Sequence, residues 1–210
     1  MNDSAQLLSI VAAYLALFLS IGIHEFSHVL SAYLQGDQTG KMMGRLTLNP
    51  LKHLDPLGSL MIIVARIGWG KPAPFNPYNL RFRRWGPSLV AIAGPISNII
   101  LVAIAGYSLL LIGSHLPSNN LLIVFLEAAV IVNASLAVFN LLPVAPLDGS
   151  HLLSAILGPQ HPLTIFLQRY GSFLLLALVA MSYFGGGLLN AYVFGGVKII
   201  LHGLGLGRLL

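Results

Sequence analysis

The run from Ala5 to Leu34 reads AQLLSIVAAYLALFLSIGIHEFSHVLSAYL. Its one formally charged side chain is Glu25, and it is longer than the ~20 apolar residues a helix needs to cross a bilayer core. It therefore reads as a membrane-spanning helix with His24-Glu25-Phe26-Ser27-His28 inside it. Positions four apart share one face of a helix, so His24 and His28 point the same way and can grip one zinc ion. Glu25 can then take a proton from the attacking water, whose pKa a bound metal lowers toward ~7, and pass it to a leaving amine. With seven His in the chain and Glu rarer still, the HExxH pattern is expected only about 0.002 times by chance. Ionisable groups near the bilayer interior cost roughly 2.5–3.5 kcal/mol each, so a metal-free polar cluster is a poor alternative. His28 lies eight residues before Gly36, which puts it about 12 Å along the helix axis from that end, below the membrane surface.

The rest of the chain has the same character. It is 56% hydrophobic and 8% charged, against about 25% charged in soluble domains, and its mean hydropathy is +0.84. Further apolar runs cover residues 87–112, 121–142 and 162–184, and a shorter one, 188–204, carries Lys198 and several glycines. The expected architecture is an all-α polytopic membrane protein, one domain over 1–210, with about five transmembrane helices. The start, MNDSAQLLSI, has no basic segment or small-residue cleavage site, so the first run is expected to stay as a span. The chain has no Cys, which removes disulfides and thiolate chemistry from consideration. Its net charge of +5 does not point to nucleic acid, because the basic residues lie beside apolar spans without aromatic interleaving.

Eight of the 11 basic residues fall between Gly36 and Gly86, a Gly- and Pro-rich stretch that the positive-inside bias places in the cytoplasm. Its apolar piece, residues 58–67, is too short to cross and should skirt or re-enter the membrane. Within it, TLNPLKHLDPLG and KPAPFNPYNLRFRRWG read as short strands and turns.

A catalytic zinc wants three protein ligands and an open position. Besides Glu25 the acids are Asp3, Asp37, Asp55, Glu127 and Asp148. Glu127 lies six residues into a span that starts at the outer face, whereas Asp148 ends the Pro-rich run Asn140-Leu-Leu-Pro-Val-Ala-Pro-Leu-Asp148-Gly149 near the depth of the histidines. Prolines that break a helix at such depth are tolerated around a cavity or buried site. Asp148 is thus the expected third ligand. It could instead cap the helix that follows it, and His151, three residues on, is an alternative ligand. His53, His115, His161 and His202 read as surface histidines. Asn98 and Asn140 put amides inside apolar spans, where they can contact substrate or form an oxyanion hole, or simply bond helix to helix.

HEFSH inside one span, Ala93-Gly94-Pro95-Ile96-Ser97-Asn98 in the next and NLLPVAPLDG closing the third together resemble the site-2 protease family (peptidase M50) of intramembrane zinc metalloproteases. GRLTLNPLKHLDPLG and KPAPFNPYNLR resemble the connecting segment of its short prokaryotic members, which lack PDZ and CBS domains. The resemblance implies zinc held by His24, His28 and Asp148, Glu25 as catalytic base, a multi-pass protein of the prokaryotic inner membrane, and a transmembrane protein as substrate. Two other classes fit an intramembrane cluster of His and Asp. A metal transporter would show several metal stations and inverted repeats, and the chain has one compact cluster and no detectable repeat. A hydrolase of lipids or prenylated peptides could also use HExxH, but the Pro-rich break and the expected strand segment suit an extended peptide better.

Overall fold

The computed structural model describes residues 3–65, 70–183 and 187–209. Helix α1 spans Asp3–Leu34, α2 Thr39–Met42, α3 Pro56–Ala65, α4 Gly86–Ile112, α5 Leu121–Asn140, α6 Gly149–Leu157, α7 Pro162–Tyr183 and α8 Leu188–Gly203. Four of these, α1, α4, α5 and α7, are long and apolar enough to cross a membrane. The expected spans agree with them within two residues, apart from Phe184, which lies outside the described residues. Helix α8 has 16 residues, about 24 Å, which is short of the ~30 Å hydrocarbon core.

The core is built by α1, α4 and α5, whose facing positions are small. Ala12, Ala16 and Ser20 form one stripe of α1 at 2%, 1% and 2% exposure, and Ala129, Ala134 and Ala137 of α5 are buried as well. Between lipid-embedded helices there is no hydrophobic driving force, so close backbone approach and dispersion must hold them, and small residues permit that approach. Helix α7 sits outside this core: 11% of its apolar window is buried, against 50% for α4.

The strands expected between the first two spans are absent from the described residues, where only an isolated antiparallel bridge joins Leu54 to Gly70. The reason is local. Asn49 and Asn76 each precede a proline, and each Asn side chain accepts a hydrogen bond from the backbone N–H two residues on, at 3.1 Å in both cases. Proline has no N–H to lose at the first helical position, so Pro50–Lys52 and Pro77–Asn79 close as 3-10 turns. Pro56 likewise opens α3, a ten-residue helix in place of the apolar piece read at 58–67; position 67 lies outside the described residues. At about 15 Å, α3 is too short to cross, as expected.

Two ties hold this segment together. Asp37, 1% exposed, accepts from Thr39, from the Asn76 backbone N–H at 2.7 Å and from Asn79 Nδ2 at 3.1 Å. Arg45 donates to the Lys71 carbonyl at 2.5 Å, and the Lys71 N–H donates to the His53 carbonyl at 2.7 Å. His53 was expected at the surface, yet it is 0% exposed, because its Nε2 donates to the Thr47 carbonyl at 2.8 Å and its ring fills the space beside Arg45. His115, His161 and His202 are exposed, as expected.

Candidate metal centre

Helix α1 brings His24 and His28 onto its inner face, 6% exposed each, and a break after α5 brings Asp148 to the same point. His24 Nε2 lies 3.0 Å from His28 Nε2 and 3.2 Å from Asp148 Oδ2, and His28 Nε2 lies 3.5 Å from Asp148 Oδ1. Ligands at 2.0–2.1 Å from a tetrahedral zinc are about 3.3 Å apart, and these three separations bracket that value.

The outer nitrogens decide what the inner ones offer. His28 Nδ1 lies 2.7 Å from the Val90 carbonyl, which can only accept, so Nδ1 carries the proton and Nε2 keeps its lone pair. His24 Nδ1 lies 2.6 Å from Asn98 Oδ1, with the same consequence. Two lone pairs therefore face each other at 3.0 Å with a carboxylate beside them, an arrangement that repels itself unless a cation sits among them. Asp148 Oδ2 is buried and receives no hydrogen bond. The donor set of two imidazoles and one carboxylate suits a catalytic zinc site.

Backbone shape makes room for this. A Cβ on Gly94 of α4 would come within 2.5 Å of both His24 Cε1 and His28 Nε2, so only glycine lets α4 pass the site. A Cβ on Gly149 would strike the Leu141 and Leu142 carbonyls at the end of α5, so glycine is required where the chain turns back after Asp148. Asp148 stands at the N-cap position of α6 but makes no capping hydrogen bond with its side chain. The capping alternative is therefore not taken.

The three residues open onto a cavity of about 380 Å³ lined by Glu25, Asn140, Leu147 and His151, and by Gly70, Pro72, Ala73 and Phe75 of the tied segment. Glu25 Oε2 is buried without a hydrogen-bond partner. His151 borders the cavity and stays outside the cluster of three ligand atoms that lie within 4.8 Å of one another. Glu127 is on the exposed side of α5.

The two amides singled out in the sequence separate. Asn98 is 0% exposed and is used on both sides, by His24 and by Asn133 Oδ1 at 2.8 Å. Asn140 lines the cavity, with its Nδ2 given to the Leu136 carbonyl at 3.0 Å. Asn133 went unnoticed in the sequence, although an amide inside the apolar run 121–142 is the same signal that marked Asn98.

Comparison with known proteins places the chain among named relatives. Residues 114–181 match the model of peptidase family M50. The chain is 40% identical over 150 residues to the "Putative zinc metalloprotease YwhC" of Bacillus subtilis, covering 69% of this chain and 68% of that one. It is 27% identical over 194 residues to the Rip2 protein of Mycolicibacterium smegmatis, covering 86% and 72%, and 31% identical over 186 residues to Rip2 of Mycobacterium tuberculosis H37Rv, covering 84% and 68%; both have the same designation. No solved structure matches the chain. The apolar helices, the cluster of His24, His28 and Asp148, and these relatives lead to one assignment: the chain belongs to peptidase family M50, the site-2 protease family of metalloproteases.

Proposed function

We propose that this zinc metalloprotease hydrolyses peptide bonds within or beside the membrane-spanning segments of substrate proteins. The observation that carries the reading is the convergence of two imidazole lone pairs and one carboxylate, beside the unpartnered Glu25, on a cavity among helices that can cross a membrane. His24, His28 and Asp148 hold one zinc ion in this reading. When bound, zinc supplies Lewis acidity, polarising the scissile carbonyl and acidifying water at neutral pH.

The chain's own residues do the rest. Glu25 Oε2 accepts a proton from the attacking water and returns it to the leaving amine. Hydrogen bonds at Nδ1 fix both imidazoles so that neither turns away when substrate enters. Asn140 and the wall formed by Gly70, Pro72, Ala73 and Phe75 are where an unwound peptide lies, since a helical substrate keeps its carbonyls bonded within itself. The Gly36 to Gly86 segment faces the cytoplasm of a prokaryotic cell, its eight basic residues held on that side of the inner membrane.

Incubating the purified protein with a tagged single-span protein in detergent, with and without a chelator, tests the reading when metal content is measured in parallel. Cleavage at one zinc per chain, lost on chelation and restored by zinc, is expected. Cleavage that persists after complete metal removal would overturn it.

A further inference from the structure

We infer that Asn133 is a positioning residue for the metal centre, acting on His24 through Asn98. The inference rests on the proposed zinc site. A chain of hydrogen bonds crosses three helices: His24 Nδ1 on α1 to Asn98 Oδ1 on α4 at 2.6 Å, Asn98 Nδ2 to Asn133 Oδ1 on α5 at 2.8 Å, and Asn133 Nδ2 to the Ala129 carbonyl at 2.8 Å. Asn98 and Asn133 are 0% and 2% exposed, so water cannot take over either role.

The direction of every bond follows from the far end. The Ala129 carbonyl can only accept, which makes the Asn133 group facing it the NH₂ and turns the Asn133 oxygen toward Asn98. That oxygen can only accept, so Asn98 must present its own NH₂ there and its oxygen to His24. His24 Nδ1 must then carry the proton, leaving the Nε2 lone pair aimed at the cluster with His28 and Asp148. A main-chain carbonyl of α5 thus selects the tautomer of an imidazole on α1. His28 needs no such relay, because Val90 supplies a carbonyl directly. Without Asn133, the Asn98 amide is free to turn over and offer NH₂ to His24, which would move the ring proton to Nε2 and block it as a ligand.

Partners of this kind are worth about 10- to 100-fold in metal affinity. The test is zinc affinity by chelator competition on the full chain in detergent, read alongside the thermal melting of each metal-free protein. Asn133→Leu keeps the branching at Cγ and removes the amide; zinc affinity is expected to fall about 10-fold. Asn133→Asp, protonated in this buried place, can still donate to Ala129 and accept from Asn98, and is expected to restore affinity to within about 3-fold of wild type. Because Asn133 acts through Asn98, Asn133→Leu should cost nothing further in an Asn98→Ala background. Wild-type affinity in Asn133→Leu, or a full additional loss in the double variant, overturns the inference. If Asn133→Leu fails to fold, a loss of about 10-fold or more in a well-folded Asn133→Asp overturns it and retained affinity supports it. A failure of the zinc reading looks different: wild type would bind no stoichiometric zinc, or His24→Ala would bind it unchanged.

Discussion

Asp37 and Asp148 each follow an apolar helix and each turn their carboxylate inward, yet their surroundings are opposite. Asp37 collects four donors, from the Thr39 backbone and hydroxyl, the Asn76 backbone and the Asn79 amide. Asp148 has a buried oxygen with no donor at all, 3.2 Å from an imidazole nitrogen that offers a lone pair. Donors neutralise an acid and make it a fastener for the chain around it. An acid facing other acceptors is stable only with a cation, and so reads as a site. The same residue type, buried at Asp37 and part-buried at Asp148, thus has two meanings, and the hydrogen-bond partners distinguish them.

Substitution should separate the two most sharply at Asp148. Asp148→Ala is expected to lower zinc affinity by more than the ~100-fold upper value for a supporting residue and to remove cleavage with it. Asp37→Ala should leave zinc stoichiometry unchanged in whatever protein folds. Equal zinc loss in the two variants, measured by metal analysis after gel filtration, would erase the distinction between the two acids. Glu25→Gln comes next: it should keep zinc bound while slowing cleavage by roughly 10²- to 10⁴-fold, the usual contribution of a general base. Substantial residual cleavage by that variant takes Glu25 out of the chemistry.

The cost at Asp37 should appear as stability. Removing the buried carboxylate takes the shared acceptor from four part-buried donors and is expected to cost about 2 kcal/mol. Burial alone would raise this acid's pKa, but the hydrogen bonds from Thr39, Asn76 and Asn79 outweigh it and hold the pKa below the usual carboxylate value. A depressed folded-state pKa means that Asp37 contributes fully above the unfolded value of about 3.9 and loses that contribution as pH falls through the folded value. Thermal melting of wild type and Asp37→Ala should therefore differ by a constant amount from pH 7 to about pH 5, and the gap should close only below about pH 4. A gap that closes near neutrality would mean another group is being read.

What the sequence made legible follows the range of the forces involved. The spans 5–34, 87–112 and 121–142 were readable because hydropathy acts along a continuous run, and HEFSH because helical spacing puts its histidines on one face. The meeting of Asp148 with the two histidines was legible through depth, since the bilayer gives residues far apart in sequence a common coordinate. The segment between α1 and α4 was misread because Asn49-Pro50 and Asn76-Pro77 carry a local capping bond that competes with a strand ladder. Asn133 could be seen as an amide in a span, but its partner could not, because a hydrogen bond between helices depends on their rotation as well as their depth.

The smallest effects are expected at the two residues that competed with Asp148 for the metal. His151 borders the cavity without joining the ligand cluster, and its main-chain carbonyl accepts from Ser88 Oγ at 2.8 Å, so its backbone is held whatever its side chain. His151→Ala should therefore leave zinc affinity within about 3-fold of wild type, far from the 10- to 100-fold cost of losing even a supporting residue. Cleavage can fall by up to about 10-fold, which corresponds to one lost contact worth ~1.4 kcal/mol at the cavity rim. Glu127 lies on the exposed side of α5, and removing a charge from an apolar span should not destabilise the fold. Glu127→Ala is expected to match wild type in zinc content and cleavage. Both variants can be read in the same chelator competition as Asp148→Ala. Zinc lost from His151→Ala but retained by Asp148→Ala would exchange their roles, making His151 the third ligand and Asp148 a second fastener like Asp37.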